Sequence, residues 1–153
     1  YGPLPQPAAE QFAASDARDV IMDSERFFER IREYHKALTR LPEAAALKDD
    51  SIVRDALIQR FEFTYELAWK ALRLWLESRN IDVHYAKDAF REALQQGWIE
   101  DGNGWTQLQK MRNLTSHTYD EATACEVADF VRTRGIQLLK ALDGQFSKIT
   151  GTP

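Results

Sequence analysis

The chain has 153 residues but only one cysteine, seven glycines and five prolines. The lone Cys125 excludes an internal disulfide and fits a reducing, cytoplasmic setting. With no CxxC pair, and with His35, His84 and His117 far apart, no familiar zinc spacing is present. Three of the five prolines lie in the first seven residues, so the body of the chain has few helix breakers. No apolar run approaches the roughly 20 residues of a membrane helix, so no membrane association is expected. An excess of positive charge is missing too: the net charge is −4. That argues against a basic nucleic-acid surface spread over the whole domain, but not against a local basic cleft or one shared between two subunits.

What is present is helical. Residues 1–22 read as a loose or added leader, because Pro3, Pro5 and Pro7 oppose a helix at its start, although Ala8 to Val20 could form a short helix if packed on something. The folded body is expected at 23–147, with 148–153 as a tail. From Asp23 onward, Phe27, Ile31, Tyr34, Leu38 and Leu41 recur at spacings of three and four, and Pro42 is expected to end that helix. A second helix, capped by Asp50 or Ser51, carries Val53, Leu57, Phe61, Tyr65, Ala68, Leu72 and Trp75 inward. At about 28 residues it would be roughly 42 Å long. Its further apolar positions, Ile58, Trp69 and Leu76, widen the stripe and make it the expected centre of the fold.

The turn Asn80-Ile81-Asp82 leads to a short helix over 86–96, stopped by Gly97. The run Asp101-Gly102-Asn103-Gly104 reads as a tight turn, followed by a helix from Trp105 carrying Leu108 and Met111. Asp120 can cap a last helix with Ala124, Val127, Val131, Leu138, Leu142 and Phe146 inward, ending near Ser147. No segment alternates long enough for a strand. The expected fold is all-α, an up-and-down four-helix bundle with an additional short helix.

The chemistry concentrates in Met111-Arg112-Asn113-Leu114-Thr115-Ser116-His117-Thr118-Tyr119-Asp120. On an unbroken helix, Arg112 and His117 would be about 140° apart. Thr115, Ser116 and Thr118 bond readily to their own backbone, so a break there is expected. A guanidinium grips phosphate oxygens in a fork, and a histidine can move protons as general acid or base. With RNA the nucleophile can be the ribose 2′-hydroxyl, so neither metal nor cofactor is required. The plainer alternative pairs Arg112 with Asp120 or Glu121, leaves His117 as a helix-end cap and half-buries Tyr119. Glu62 and Glu66, one turn apart on the second helix, leave two readings open. Glu66 pairs with Lys70 while Glu62 is solvated, or both form a polar wall beside Arg112 and His117. Trp69, Trp75, Trp98 and Trp105 are expected in the core or at an interface.

The R-x4-H-x-Y string near the start of the last helix resembles the HEPN superfamily. The segment QRFEFTYELAWKAL and the turn GWIEDGNGW before MRNLTSHTYDE are similar to its nucleotidyltransferase substrate-binding protein branch, which includes HepT-like toxins. The resemblance covers residues 23 to about 147. It implies a HEPN bundle that forms a homodimer, with an MNT-type nucleotidyltransferase as partner and RNA or a nucleotide as ligand. The catalytic pair implied is Arg112 and His117, supported by Asn113, Glu66 and Glu62. Tyr119 matches the tyrosine that accepts AMP from the partner. Some members of this branch are known only as partners, with no demonstrated nuclease, and the alternative function is a non-catalytic substrate-binding subunit of a nucleotidyltransferase complex.

Overall fold

A computed structural model describes residues 6–151, with side chains from residue 24 onward. Six α-helices follow one another: α1 (Gln6–Ala45), α2 (Ser51–Ser78), α3 (Ala86–Gln95), α4 (Gly102–Leu114), α5 (Glu121–Phe130) and α6 (Ile136–Thr150). A 3-10 turn, Thr115–His117, lies between α4 and α5, and a π-helical segment, Val131–Gly135, joins α5 to α6. The α5–π–α6 run serves as one long helix. With α1, α2 and α4 it makes the four-helix bundle, and α3 is the additional short helix packed on α2. No strand occurs among the described residues.

The core is the one the apolar stripes require. Tyr34, Phe61, Phe90, Trp105 and Phe146 are fully buried, and Leu57, Leu72, Leu76, Leu108, Leu139 and Leu142 fill between them. Helix α2 is central, packing against α1, α3, α5 and α6. Its start is fixed by Asp50, whose carboxylate accepts from the Val53 N–H at 2.7 Å. Gly97, at φ 69°, turns the chain after α3. The tryptophans divide. Trp105 is buried against Phe90, and Trp75 stacks on the half-buried Trp98 with centroids 3.9 Å apart. Trp69 stays half-buried on the outer face of α2.

Several boundaries differ from expectation. Helix α1 begins at Gln6, not near Asp23. Pro7 falls in its first turn, where a missing N–H leaves no bond unmade. Residues 1–5 lie outside the described region. Pro42 sits inside α1, which continues to Ala45. Leu41 and Ala44 are buried on the bundle and hold the turn in place, while Arg60 donates to the Arg40 carbonyl at 2.7 Å. Asp101-Gly102-Asn103-Gly104 is not a free-standing turn but the start of α4. Asp101, at φ 70°, is its N-cap and accepts from the Gly104 N–H at 3.0 Å. The last helix runs on past Ser147 to Thr150.

Candidate functional site

Arg112 occupies the last turn of α4, and the chain then tightens into the Thr115–His117 turn before Asp120 caps α5. The expected break is therefore present, and hydroxyls hold it. Thr115 Oγ1 donates to the Arg112 carbonyl at 2.6 Å, Ser116 Oγ to the Asn113 carbonyl at 2.9 Å, and Thr118 Oγ1 to the Thr115 carbonyl at 3.2 Å. These hydroxyls add partners to carbonyls of the tightening turn, and the Arg112 carbonyl also accepts from the Thr115 N–H. Asp120 accepts from both the backbone and the side chain of Thr123, and those bonds hold its carboxyl below the ordinary range.

The Arg112 guanidinium is gripped on three sides. NH1 donates to the buried Thr115 Oγ1 at 2.8 Å. NH1 also lies 3.7 Å from Glu62 Oε2, and NH2 lies 3.6 Å from Glu66 Oε1. The group sits over the Tyr65 ring at 5.7 Å, within cation–π range. Its Nε is buried with no partner. Glu66 is itself held, since Trp69 donates its indole N–H to Glu66 Oε2 at 3.0 Å. Burial, with Glu66 beside it, pushes the Tyr65 phenol up to about 12, and Arg112 opposes part of that rise.

The structure places the carboxylates beside Arg112, as in the second reading, but not beside His117. Glu62 and Glu66 form a wall beside Arg112, and Arg112 pairs with neither Asp120 nor Glu121. Glu121 lies near Arg54 instead, at 3.5 Å. His117 and Tyr119 form a separate exposed pair: Tyr119 is 85% exposed, and its hydroxyl lies 3.3 Å from His117 Nδ1. The two rings meet edge to face at 5.9 Å. Asn113 is exposed, and its carbonyl accepts from Ser116. Among the described residues, no hydrogen bond or ion pair joins Arg112 directly to His117. Sequence reasoning missed three participants. Thr115 was visible only as a helix breaker, Tyr65 only as a core position, and Trp69 only as part of an aromatic set.

An all-α bundle with an arginine at a helix end, a histidine in the following turn and a tyrosine two residues on is a HEPN-like protein. The chain belongs to the nucleotidyltransferase substrate binding protein like family, whose model matches residues 29–148 and so spans every residue of the site. A probable ribonuclease HepT of Haemophilus influenzae is 43% identical over 86 residues, which is 50% of this chain and 59% of that protein. A crystal structure from Thermus thermophilus superposes with a TM-score of 0.67 at 34% identity, covering 73% of this chain and 97% of that one. A second structure, from Haemophilus influenzae, is described as revealing the fold of a substrate binding domain of a nucleotidyltransferase. It has a TM-score of 0.55 at 26% identity and covers 79% of this chain and 96% of that one. No described helix is long and apolar enough to cross a membrane.

Proposed function

We propose that this chain is a HEPN-type toxin of a toxin–antitoxin pair. It is a cytoplasmic, metal-independent endoribonuclease that works as a homodimer. A partner MNT-type nucleotidyltransferase silences it by adenylylating Tyr119. The observation that carries this reading is the pairing of an exposed tyrosine hydroxyl with His117, one turn past the helix end that bears Arg112. In cleavage, Arg112 forks onto the scissile phosphate and balances its developing charge. One His117 takes the proton from the ribose 2′-hydroxyl, which attacks phosphorus. The departing 5′-oxygen gains a proton from the same histidine of the second copy, leaving a 2′,3′-cyclic phosphate. Asn113 lies beside the phosphate, while Glu62 and Glu66 fix the guanidinium.

The dimer reading is supported by Ile52 and Phe63, large apolar side chains that are 77% and 54% exposed on α2. In silencing, the Tyr119 oxygen attacks the α-phosphorus of ATP, pyrophosphate leaves, and His117 is placed to take the phenol proton. The attached AMP then competes with RNA for Arg112.

Purified protein should cut RNA in the presence of a chelator. His117→Ala should lower the rate about 10²–10⁴-fold, and Arg112→Lys should fail because an ammonium cannot form the fork. Incubation with the partner and ATP should add AMP to the parent but not to Tyr119→Phe. A second reading, the non-catalytic substrate-binding subunit, is favoured by the two carboxylates that already occupy the Arg112 guanidinium. Absence of RNA cleavage by the parent, with adenylylation retained, would leave that second reading in place of the first.

A further inference from the structure

A groove of about 400 Å³ runs between α1 and α6 and shares no lining residue with the Arg112 site. Its size falls within the roughly 300–1,000 Å³ of small-molecule sites. The two helices run in opposite directions here, since Phe27 meets Phe146 while Tyr34 reaches the Leu139 carbonyl. Phe28, Ile31, Arg32 and His35 line it from α1 at helical spacing, and Asp143 and Ser147 line it from α6.

Three features separate this groove from ordinary surface. First, Asp143 is only 14% exposed. One of its oxygens accepts from His35 Nδ1 at 2.8 Å, while the other is buried with no donor. The carboxylate is therefore a fixed, largely buried partner for the histidine ring. Second, the Asp143 bond fixes the His35 ring and engages Nδ1. Nε2 is then the nitrogen left for a ligand, on a side chain that is 54% exposed. Third, Arg32, one turn from His35, has no hydrogen-bond or ion-pair partner among the described residues. Beside these polar groups lies an apolar wall of Phe28, 37% exposed, and the buried Ile31.

We infer that the α1–α6 groove is a binding site for a nucleoside monophosphate, with the phosphate on Arg32 and His35 Nε2 and the base against Phe28 and Ile31. An unpaired guanidinium donates to two phosphate oxygens in a fork, and Nε2, the acceptor nitrogen once Nδ1–H is given to Asp143, takes a hydrogen bond from the P–OH of a monoanionic phosphate monoester. An aromatic face beside them accepts any base by stacking, so the site discriminates little between purine and pyrimidine. The Ser147 hydroxyl, which donates to the Asp143 carbonyl at 3.0 Å, keeps acceptor capacity for a ribose hydroxyl. Binding in this groove does not depend on ribonuclease activity.

The test is calorimetric titration of the full chain with AMP, UMP, adenosine and inorganic phosphate. AMP and UMP should each bind one per chain with a Kd at or below about 1 mM. Adenosine and phosphate alone should bind at least about tenfold more weakly, since each reaches only half of the site. Arg32→Gln and His35→Ala, both at helix-surface positions, should weaken AMP at least about tenfold while circular dichroism stays at the parent's level. Arg112→Ala should leave AMP binding unchanged, which separates this groove from the proposed catalytic site. Absence of AMP binding, adenosine binding as tightly as AMP, either groove variant binding like the parent, or loss of binding in Arg112→Ala would each overturn the inference.

Discussion

Thr115→Val tests whether one hydroxyl holds the helix end and the Arg112 side chain together. Valine keeps the branched shape, so the buried side chain still fills its space while two bonds disappear. The hydroxyl's bond to the Arg112 carbonyl at 2.6 Å is neutral and contributes about 1 kcal/mol net. The bond it accepts from Arg112 NH1 at 2.8 Å is charge-assisted. The guanidinium is 26% exposed, so water recovers part of that loss and about 0.5–1 kcal/mol is the discounted worth. The total, about 1.5–2 kcal/mol, corresponds in a domain of this size to a Tm lower by about 3–8 °C. Thr115→Ser keeps both bonds and should melt close to the parent. The assay is thermal unfolding followed by circular dichroism, with RNA cleavage by both variants measured alongside. Cleavage should fall in the valine variant and persist in the serine variant, since only valine frees the guanidinium from its fixed geometry. If Thr115→Val melts within a degree of the parent, or if serine loses as much as valine, the hydroxyl is not the fastener argued here.

Two further predictions concern pH. Burial lifts the Tyr65 phenol to about 12. Its contribution to stability is therefore complete below the unfolded value of about 10 and is lost as pH rises towards the folded value. Tm of the parent should fall more steeply than that of Tyr65→Phe across this window, and parallel slopes would contradict the assignment. The Asp120 carboxyl is held low by the Thr123 side chain and backbone. Its contribution is present above the unfolded value of about 3.9 and lost as pH falls through the folded one. Asp120→Ala should thus lower Tm at neutral pH, and the gap from the parent should close in acid. A constant gap down to the acid limit would show that the cap acts without its charge.

How much of this was legible depended on which signal carried it. Helix α2 was readable nearly to the residue because Asp50 is a strong cap and its aliphatic and aromatic positions recur at helical spacing. The break after Arg112 was readable because Thr115, Ser116 and Thr118 are hydroxyl residues at a helix end, and each bonds a carbonyl there. Pro42 misled because its local cost is set against burial of Leu41 and Ala44 on distant elements, which one segment's pattern does not show. The π segment misled in another way. Its Ile136 N–H reaches back five residues to the Val131 carbonyl, while the apolar positions keep spacings of three and four across it, so the periodicity carries no sign of it. At the site, residue types marked Arg112, His117 and Tyr119. The choice between Lys70 and Arg112 as the neighbour of Glu66 needed the packing of α4 against α2.

Charge ties the proposed chemistry to the proposed assembly. Within one chain, Arg112 faces both Glu62 and Glu66, so one cation stands against two carboxylates in a protein of net charge −4. A phosphodiester approaching that site alone would meet the carboxylates' repulsion as well as the guanidinium's attraction. In the proposed homodimer a two-fold axis beside the site would bring a second arginine and a second histidine to the same phosphate, each arginine held by its own pair of carboxylates. The carboxylates then keep the guanidinium in one orientation until a phosphate takes part of its fork. The exposed apolar positions on α2 lie on the same helix as Glu62 and Glu66, so the surface that would pair two copies and the wall that holds Arg112 belong to one rigid element. On this reasoning the ribonuclease reading and the homodimer reading are a single claim. The substrate-binding reading, which asks Arg112 only to hold its place, needs no second copy.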